Sequence, residues 1–427
     1  MTTETSHPEK LRVIIAGGGV AALETALVLA DLAPEQTDVT VIAPNPEFVY
    51  RPMTVREPFA YGRARRYPLA RIVSDAGAEL LEEELGWVDP GERTLHTETG
   101  KAIRYDALVL ALGAHAHARY EHAVTIDDRH MDEALHGLIQ DIEGDYIHSL
   151  AFVSPGRMAW PMPLYELALM TAGRAYDMGI ELATTIVTPE DSPLAIFGST
   201  ASSAVAELLE RAHIQTINSA YAEIPHCGEV VIHPGDRRLQ VDRVIALPEL
   251  YGPGVRGIPL GENGFIRVDP YGQVPDAGPI YAAGDAVEFA VKHGGIASQQ
   301  ADVAAQSIAA LAGAPVTPQP FNPVIHGMLI TDGEPLYLTA RITGGHGFSS
   351  EITDTPTWSP PTKIAATYLA PYLAALDRET PLLRDVGRRH RPNLADPAIA
   401  FAGREQDPAR PGGSARRRRG VHARLGL

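Results

Sequence analysis

The sequence predicts an α/β fold with two three-layer domains, the second inserted in the first, and a C-terminal α+β region. Strand-like and helix-like segments alternate through the first half of the chain, which favours parallel sheets with helices on both faces. The first such unit, residues 12–31, joins a short apolar strand to an apolar helix through a glycine turn. A later apolar strand, residues 280–283, leads into Gly284-Asp285 and completes the first sheet after the insertion.

Apolar runs bounded by glycine, proline and polar residues indicate where each element lies. The predicted strands are 13–16, 38–43, a small antiparallel insertion at 87–103, 105–114, 150–153, 180–187, 194–197 and 280–283. The predicted helices are the linker 131–142, then 164–178, 200–212 and 295–311. Residues 239–250 return the chain to the first domain, and residues 322–402 contain both β-like and helical parts.

These elements divide the chain into four parts. The first domain takes residues 1–116 and 245–321, and the inserted domain takes residues 117–244. A C-terminal interface region follows at residues 322–403, and a disordered, arginine-rich tail is expected at 404–427. Both αβ domains are expected to be Rossmann-like, because each alternates strands and helices around a parallel sheet.

Composition narrows the class of protein. Hydrophobic residues make up 45% of the chain and charged residues 21%, as in an ordinary globular protein. The net charge of −17 argues against nucleic acid as the main partner. The single cysteine excludes an intrachain disulfide, and no apolar run reaches the roughly 20 residues of a membrane span. We therefore expect a cytoplasmic protein with at most a peripheral contact at the inner membrane face.

The glycine turn carries the clearest chemical signal. Gly17, Gly19 and Ala22 have GxGxxA spacing, which lets the backbone turn tightly and approach a pyrophosphate group. The amides of Val20 and Ala21 begin the helix, whose N-terminus carries partial positive charge. Since ligands of open α/β sheets bind at the carboxyl ends of the strands, Gly284-Asp285 is expected at the same edge. Together these features predict a bound dinucleotide, FAD.

Three motifs, in this order, resemble those of the FAD-dependent pyridine nucleotide-disulfide oxidoreductases. They are AGGGVAALE at 16–24, LVLALGA at 108–114 and IYAAGDA at 280–286. The resemblance covers residues 10–375. Within the class the chain is most similar to sulfide:quinone oxidoreductases, flavocytochrome c sulfide dehydrogenases and type II NADH dehydrogenases, but it lacks their redox cysteines.

The resemblance implies roles for several residues in cofactor binding. Asp285 resembles the aspartate that accepts a hydrogen bond from the ribityl chain of FAD, and Arg51 resembles an arginine near the FAD phosphates. Gly113 belongs to the second motif, LVLALGA at 108–114. Gly294 and Gly295 resemble a helix start that meets the pyrimidine edge of the flavin.

One cofactor contact departs from the family pattern. The acidic residue that usually ends the second strand and binds the adenosine ribose is replaced by Ala43. Asn45, two residues later, is the expected substitute, because its amide can supply one hydrogen bond to the ribose without a charge.

The resemblance also implies three catalytic candidates, Arg56, Glu166 and Lys363. Arg56 and Glu166 fall where related reductases place an ion pair beside the nicotinamide face of the flavin, so we expect this pair here. Lys363 lies in a segment that resembles the one covering the other flavin face, near the acceptor. A surface arginine, an ordinary helix carboxylate and an exposed lysine are the alternatives.

The reaction itself stays open at this stage. The main prediction is an FAD-dependent oxidoreductase that passes a hydride or an electron pair through the flavin to a quinone or another acceptor. A nicotinamide dehydrogenase that uses NAD(P)H is an alternative. It is weakened by Pro155, Pro161 and Pro163, which stand where a second glycine motif is expected. A flavin-binding redox sensor or scaffold is the other alternative.

Two further groups of residues are given structural rather than chemical roles. Cys227 is expected to be a small buried apolar residue. His115, His117 and His122 lack metal-binding spacing and are expected to be solvated, so no metal site is predicted. Small-molecule donors and acceptors are the expected partners, and a homodimer is left open.

Overall fold

The computed structural model describes residues 10–156, 160–343 and 347–379. The predicted arginine-rich tail and the last part of the C-terminal region lie outside the described residues. The strands are β1 Leu11–Ala16, β2 Thr37–Ile42, β3 Glu47–Val49, β4 Arg66–Pro68, β5 Glu79–Leu81, β6 Leu85–Asp89, β7 Thr94–Thr97, β8 Ala102–Arg104, β9 Ala107–Leu110, β10 His115–His117, β11 Val124–Thr125, β12 Ser149–Val153, β13 Ala183–Val187, β14 Ile214–Ile217, β15 Tyr221–His226, β16 Glu229–His233, β17 Arg237–Gln240, β18 Arg243–Ala246, β19 Glu249–Tyr251, β20 Ile280–Ala282, β21 Val324–Leu329, β22 Leu336–Thr343 and β23 Gly347–Thr353. The helices are α1 Val20–Leu32, α2 Leu69–Asp75, α3 Met131–Glu143, α4 Met162–Met178, α5 Ser199–Arg211, α6 Gly294–Leu311 and α7 Leu369–Glu379.

The first sheet is parallel and has the order β20-β9-β1-β2-β5. Residues 13–16 of β1 are fully buried or nearly so, because the strand lies in the centre of the sheet and is covered on both faces. α1 and α6 pack together on one face. β20 pairs with β9 although the strands of the second sheet lie between them in the sequence. The first sheet is therefore completed after the insertion, as the sequence predicts.

The second sheet is also parallel, with the order β11-β18-β12-β13-β14. Residues of α3, α4 and α5 pack on one face, together with Leu150, Phe152 and Ile245 of the sheet. The predicted α/β class with parallel sheets is confirmed.

The prediction of helices on both faces of each sheet is wrong. The second face of the first sheet packs against the antiparallel sheet β6-β7-β8, where Val88 and Leu95 meet Leu108 of β9. The second face of the other sheet packs against β15-β16-β17, which supplies Val230 and Ile232. Short amphipathic hairpins bury an apolar face as well as a helix does, and strand-helix alternation in the sequence does not distinguish the two.

Two local predictions in the inserted domain also differ from the structure. Residues 195–197 form a short 3₁₀ turn rather than a strand, since Leu194 and Gly198 both adopt positive φ and break the extended backbone. The strand predicted from residue 180 begins at Ala183, because Gly179 ends α4 in the left-handed conformation.

The C-terminal region packs against helices on both parallel sheets. β21 and β22 place Ile325, Leu329 and Leu338 in the apolar cluster that contains α4. Leu369 and Leu373 of α7 belong instead to the cluster that contains α1 and α6. Residues 322–379 also contact the N-termini of two helices. Gly327 lies against Met162 at the start of α4, and Ile364 lies against Gly294 at the start of α6.

Candidate functional site

The turn between β1 and α1 is held tightly against the end of β9. Gly17 has a φ of +128°, and a Cβ atom there would lie 2.1 Å from the carbonyl oxygen of Ala111. Only glycine fits such a contact without moving the backbone. The turn therefore directs the N-terminus of α1 towards the carboxyl ends of the parallel strands.

The N-terminus of α1 has the properties of an anion cradle. Gly19 is exposed, and a Cβ atom there would meet nothing within 4 Å. No side chain caps the helix, and its first turn, which begins at Val20 and Ala21, has no acidic residue. Ala22 is fully buried beneath the turn. Free amides, positive dipole and open space together fit the pyrophosphate group of a dinucleotide.

Gly284 and Asp285 lie beside this cradle. Gly284 has a φ of +79°, and a Cβ atom there would lie 3.1 Å from the Cβ of Ala21. Its amide donates to Gln300 Oε1 at 2.8 Å. Burial raises the pKa of the Asp285 carboxyl to about 6, and nearby Lys292 opposes that rise. The two motifs that are far apart in the sequence thus meet at one edge of the first sheet.

Three other predicted contacts surround the same edge. Gly113 follows β9 with a φ of +74°. Arg51 is exposed, and its Nη1 lies 3.8 Å from Asp128 Oδ2. Asn45 is exposed in the loop after β2, whereas Ala43 is buried and has no polar side-chain atom. The structure leaves Asn45 and Arg51 accessible for contact with a ligand.

Glu166 and Lys363 form a buried ion pair. Lys363 Nζ donates to Glu166 Oε2 at 2.6 Å and to the carbonyl oxygen of Pro52 at 2.9 Å. Glu166 Oε1 accepts from the amide of Ile330 at 2.8 Å. Neither charged side chain is exposed beyond 7%. Burial raises the pKa of Glu166 and lowers that of Lys363, while their mutual attraction opposes both shifts.

The predicted ion pair between Arg56 and Glu166 is wrong, and so is the alternative of an exposed lysine. Lys363 is the cation that pairs with Glu166, because residues 363–366 cross the start of α6 and bring the lysine to α4. Arg56 lies close enough that its charge lowers the pKa of Lys363. The three catalytic candidates are therefore neighbours, with different partners from those expected.

His293 was not predicted as a functional residue. Its Nδ1 accepts from the amide of Gly295 at 3.2 Å, which caps the N-terminus of α6. Its ring lies 4.3 Å from that of Trp160, and burial together with Lys363 lowers its pKa to about 3. Gly294 packs against Ile364. The sequence showed only that an imidazole precedes two glycines, not that α4 and the C-terminal segment surround it.

The inserted domain has a different surface at the carboxyl ends of its strands. α4 begins after Pro161 and has Pro163 in its first turn, so amides available for a phosphate are fewer than at α1. A Cβ atom on Gly327 of β21 would lie 2.5 Å from Met162 Cε, so the C-terminal sheet packs on this helix start. Glu190, after β13, accepts from Tyr165 Oη at 2.6 Å, and burial raises its pKa.

Cys227 is exposed, so the prediction of a buried apolar cysteine is wrong. It lies in the tight turn between β15 and β16, where the side chain has no core to enter. His115 and His117 are exposed, as predicted. Across the described ranges, no group of three or more histidine, cysteine or acidic side chains could hold a metal ion. In the same ranges, no helix combines the length and apolar composition needed to cross a bilayer.

Residues 9–137 match the model of the family described as pyridine nucleotide-disulphide oxidoreductase. The match includes the β1–α1 turn, Arg51, Arg56 and Gly113. The matched description is that of the class predicted from the sequence.

Two curated relatives match over short stretches. A sulfide-quinone reductase from Aquifex aeolicus is 32% identical over 103 residues, which are 24% of this chain and 24% of that protein. An NADH dehydrogenase-like protein from Mycobacterium tuberculosis is 34% identical over 110 residues, 24% of this chain and 27% of that protein. The chain thus spans about a quarter of the length of the curated relatives it matches.

A solved structure extends the similarity of fold to most of the chain. The sulfide:quinone oxidoreductase of Aquifex aeolicus aligns with a TM-score of 0.71 and 20% identity, covering 87% of this chain and 90% of that one. The fold described above is therefore shared with that solved structure over most of the chain.

Proposed function

We propose that the protein is an FAD-dependent oxidoreductase that passes a hydride or an electron pair to a quinone or another acceptor. The observation that carries the proposal is the open, uncapped N-terminus of α1 at Gly19, with Gly284-Asp285 beside it. This arrangement supports a dinucleotide bound along the edge of the first sheet. The matched family supports FAD as that dinucleotide.

FAD would supply the two-electron chemistry, and the chain's own residues would bind and orient it. The first amides of α1 would hold the pyrophosphate, with Arg51 near it, and Asp285 would accept from a ribityl hydroxyl. Gly294 and Gly295 would present the N-terminus of α6 to the pyrimidine edge of the flavin. Lys363 would hold a proton at Nζ, between Glu166 Oε2 and the carbonyl oxygen of Pro52.

A non-nicotinamide donor is the first candidate for the electron source. The support is the start of α4, where Pro161 and Pro163 reduce the number of free amides and Gly327 packs on Met162. NADH or NADPH is the second candidate. Its support is the carboxyl group of Glu190, which follows β13 where nicotinamide-binding domains place an acidic residue for the ribose, and the mycobacterial relative's name. A redox sensor without turnover is the third. We also propose a cytoplasmic location, a homodimer and a peripheral membrane contact.

Cofactor binding is tested with the Gly19→Ala variant, whose new methyl group would occupy the space proposed for the pyrophosphate. We expect purified wild-type protein to carry FAD and the variant to bind it at least about tenfold more weakly, about 1.4 kcal/mol. Gly137→Ala, in α3 and also without a neighbour within 4 Å of the new Cβ, is the matched control. Equal FAD affinity in all three proteins would contradict the proposed cradle.

The reaction is tested by anaerobic reduction of the bound flavin. NADH, NADPH and sulfide are mixed with the protein in turn, and a soluble quinone is then added to the reduced protein. Bleaching by sulfide followed by reoxidation with quinone would support the first candidate. Fast bleaching by a nicotinamide would select the second, and no reduction by any donor would favour the sensor.

A further inference from the structure

Two carboxyl groups face one another beneath the start of α7. Glu24 of α1 is fully buried, and its oxygens accept from the amides of Tyr368 at 2.9 Å and Leu369 at 2.6 Å. Asp302 of α6 accepts from the hydroxyl of Thr367 at 2.9 Å through Oδ2. Both carboxyl groups therefore hold the residues at which α7 begins.

A contact between two buried carboxyl groups costs least when one of them carries a proton. Asp302 lies within hydrogen-bond range of Glu24, and its Oδ1 is buried without a hydrogen-bond partner among the described residues. Two buried carboxylates in contact cannot both be ionised at low cost, and they titrate as a pair. Protonation of Asp302 would convert its oxygen into a donor to Glu24. One proton thus satisfies the unpaired atom and removes the repulsion.

The same face of α6 guides the whole segment from residue 363 to residue 369. Gly294, Ser298 and Asp302 are spaced by four residues and lie on one stripe of the helix. Ile364 packs on Gly294, and the hydroxyl of Ser298 donates to the carbonyl oxygen of Ala365 at 3.2 Å. Lys363 stands at one end of this stripe, and the carboxyl pair stands at the other.

We propose that Glu24 and Asp302 share one proton, and that this pair is a clamp that positions the segment 363–369 and, through it, Lys363. The two carboxyl groups are positioning residues, because they contact backbone and hydroxyl groups of the segment and not the proposed flavin site. These contacts are the same whether or not the proposed redox function is correct.

Ionisation of the pair gives the clamp a defined pH dependence. The other ionisable groups around it are Tyr368 and, through a 2.7 Å hydrogen bond from the Tyr368 hydroxyl, the exposed Asp31. Burial and Glu24 raise the pKa of Asp302 to about 8 from an ordinary value of 3.8. When the segment opens, both carboxyl groups reach water and release the shared proton. The opening equilibrium should therefore increase by up to about tenfold per pH unit from about pH 5 to 8, and level off above.

The test is amide hydrogen exchange of peptides within residues 364–379, corrected for intrinsic rates, between pH 5 and 9.5. Wild-type protein is compared with Asp302→Asn, whose amide donates to Glu24 without titrating. Asp31→Asn is the matched control, because it removes the negative charge beside the Tyr368 hydroxyl and leaves the carboxyl pair intact. Acetylation of Lys363 reports on the other end of the segment. It is measured by mass spectrometry in wild-type protein and in Asp302→Asn, and the ratio of the two is compared at each pH.

We expect protection to fall with pH up to about 8 in wild-type protein and in Asp31→Asn, and to stay nearly level in Asp302→Asn. Lys363 should become more reactive in wild-type protein than in Asp302→Asn over the same range. Level protection in wild-type protein, or an equal pH slope in Asp302→Asn, would overturn the shared proton. A normal slope with unchanged Lys363 reactivity would overturn the positioning of the lysine.

Discussion

A buried ion pair is stabilising mainly because each partner prevents the other from being a lone buried charge. For Lys363→Met, Glu166 would keep the amide of Ile330 but lose its cation. We expect this variant to lose about 3–5 kcal/mol of unfolding free energy, and the double variant Lys363→Met/Glu166→Leu to recover most of it. Urea denaturation of the three proteins gives the comparison. A double variant no more stable than Lys363→Met would show that the pair does not act as a unit.

Single residues of this site were predictable from sequence only where a local motif defines them. Gly17, Gly19 and Asp285 belong to such motifs, because a tight turn or a strand end restricts the residue type. The partner of Glu166 could not be found this way, since Lys363 is 197 residues away in the sequence. Only the tertiary fold brings it to α4. The role of Glu24 could not be predicted for the same reason, because its carboxylate oxygens accept hydrogen bonds from the distant amides of residues 368 and 369.

At the scale of elements, the N-terminus of α6 depends on a neutral histidine. His293 caps the helix, and its folded pKa of about 3 is below its ordinary value of 6.5. Between these values the unfolded chain binds more protons, so stability is lost as pH falls from about 6.5 towards 3, by up to about 1.4 kcal/mol per pH unit. Asn at this position caps without titrating. We therefore expect His293→Asn to lose less stability than wild-type protein between pH 7 and pH 4.5 in thermal unfolding. Identical pH profiles would contradict a buried neutral His293.

Elements with long periodic or fully apolar patterns were the ones that sequence could predict. β1, α1, α3, α5 and α6 lie within a few residues of their predicted ranges. The hairpins β15-β16-β17 were missed, because residues 221–240 alternate only weakly and are bounded by polar turns. Their position on the second sheet follows from tertiary burial of Val230 and Ile232 rather than from local propensity.

At the scale of the whole molecule, the C-terminal region connects the packing of the two parallel sheets. It contributes to the apolar cluster around α4 and to that around α1, so neither cluster can lose it without exposing apolar surface. The chain's three tryptophans report on different parts. Trp87 lies on the sheet β6-β7-β8, Trp160 packs on Phe197 and His293, and Trp358 packs on His326.

We expect three variants that each keep one tryptophan, with phenylalanine at the other two positions, to unfold in urea with the same midpoint. The physical reason is that Trp160 bridges α4 and the start of α6, while Trp358 donates from Nε1 to the carbonyl oxygen of Thr362, next to Lys363. Unfolding around either residue therefore disrupts packing around the other. Circular dichroism at the same urea concentrations provides the control for each variant. If the Trp358 signal changes at lower urea than the Trp160 signal, the C-terminal region is a separate cooperative unit, and it does not hold the two sheets together.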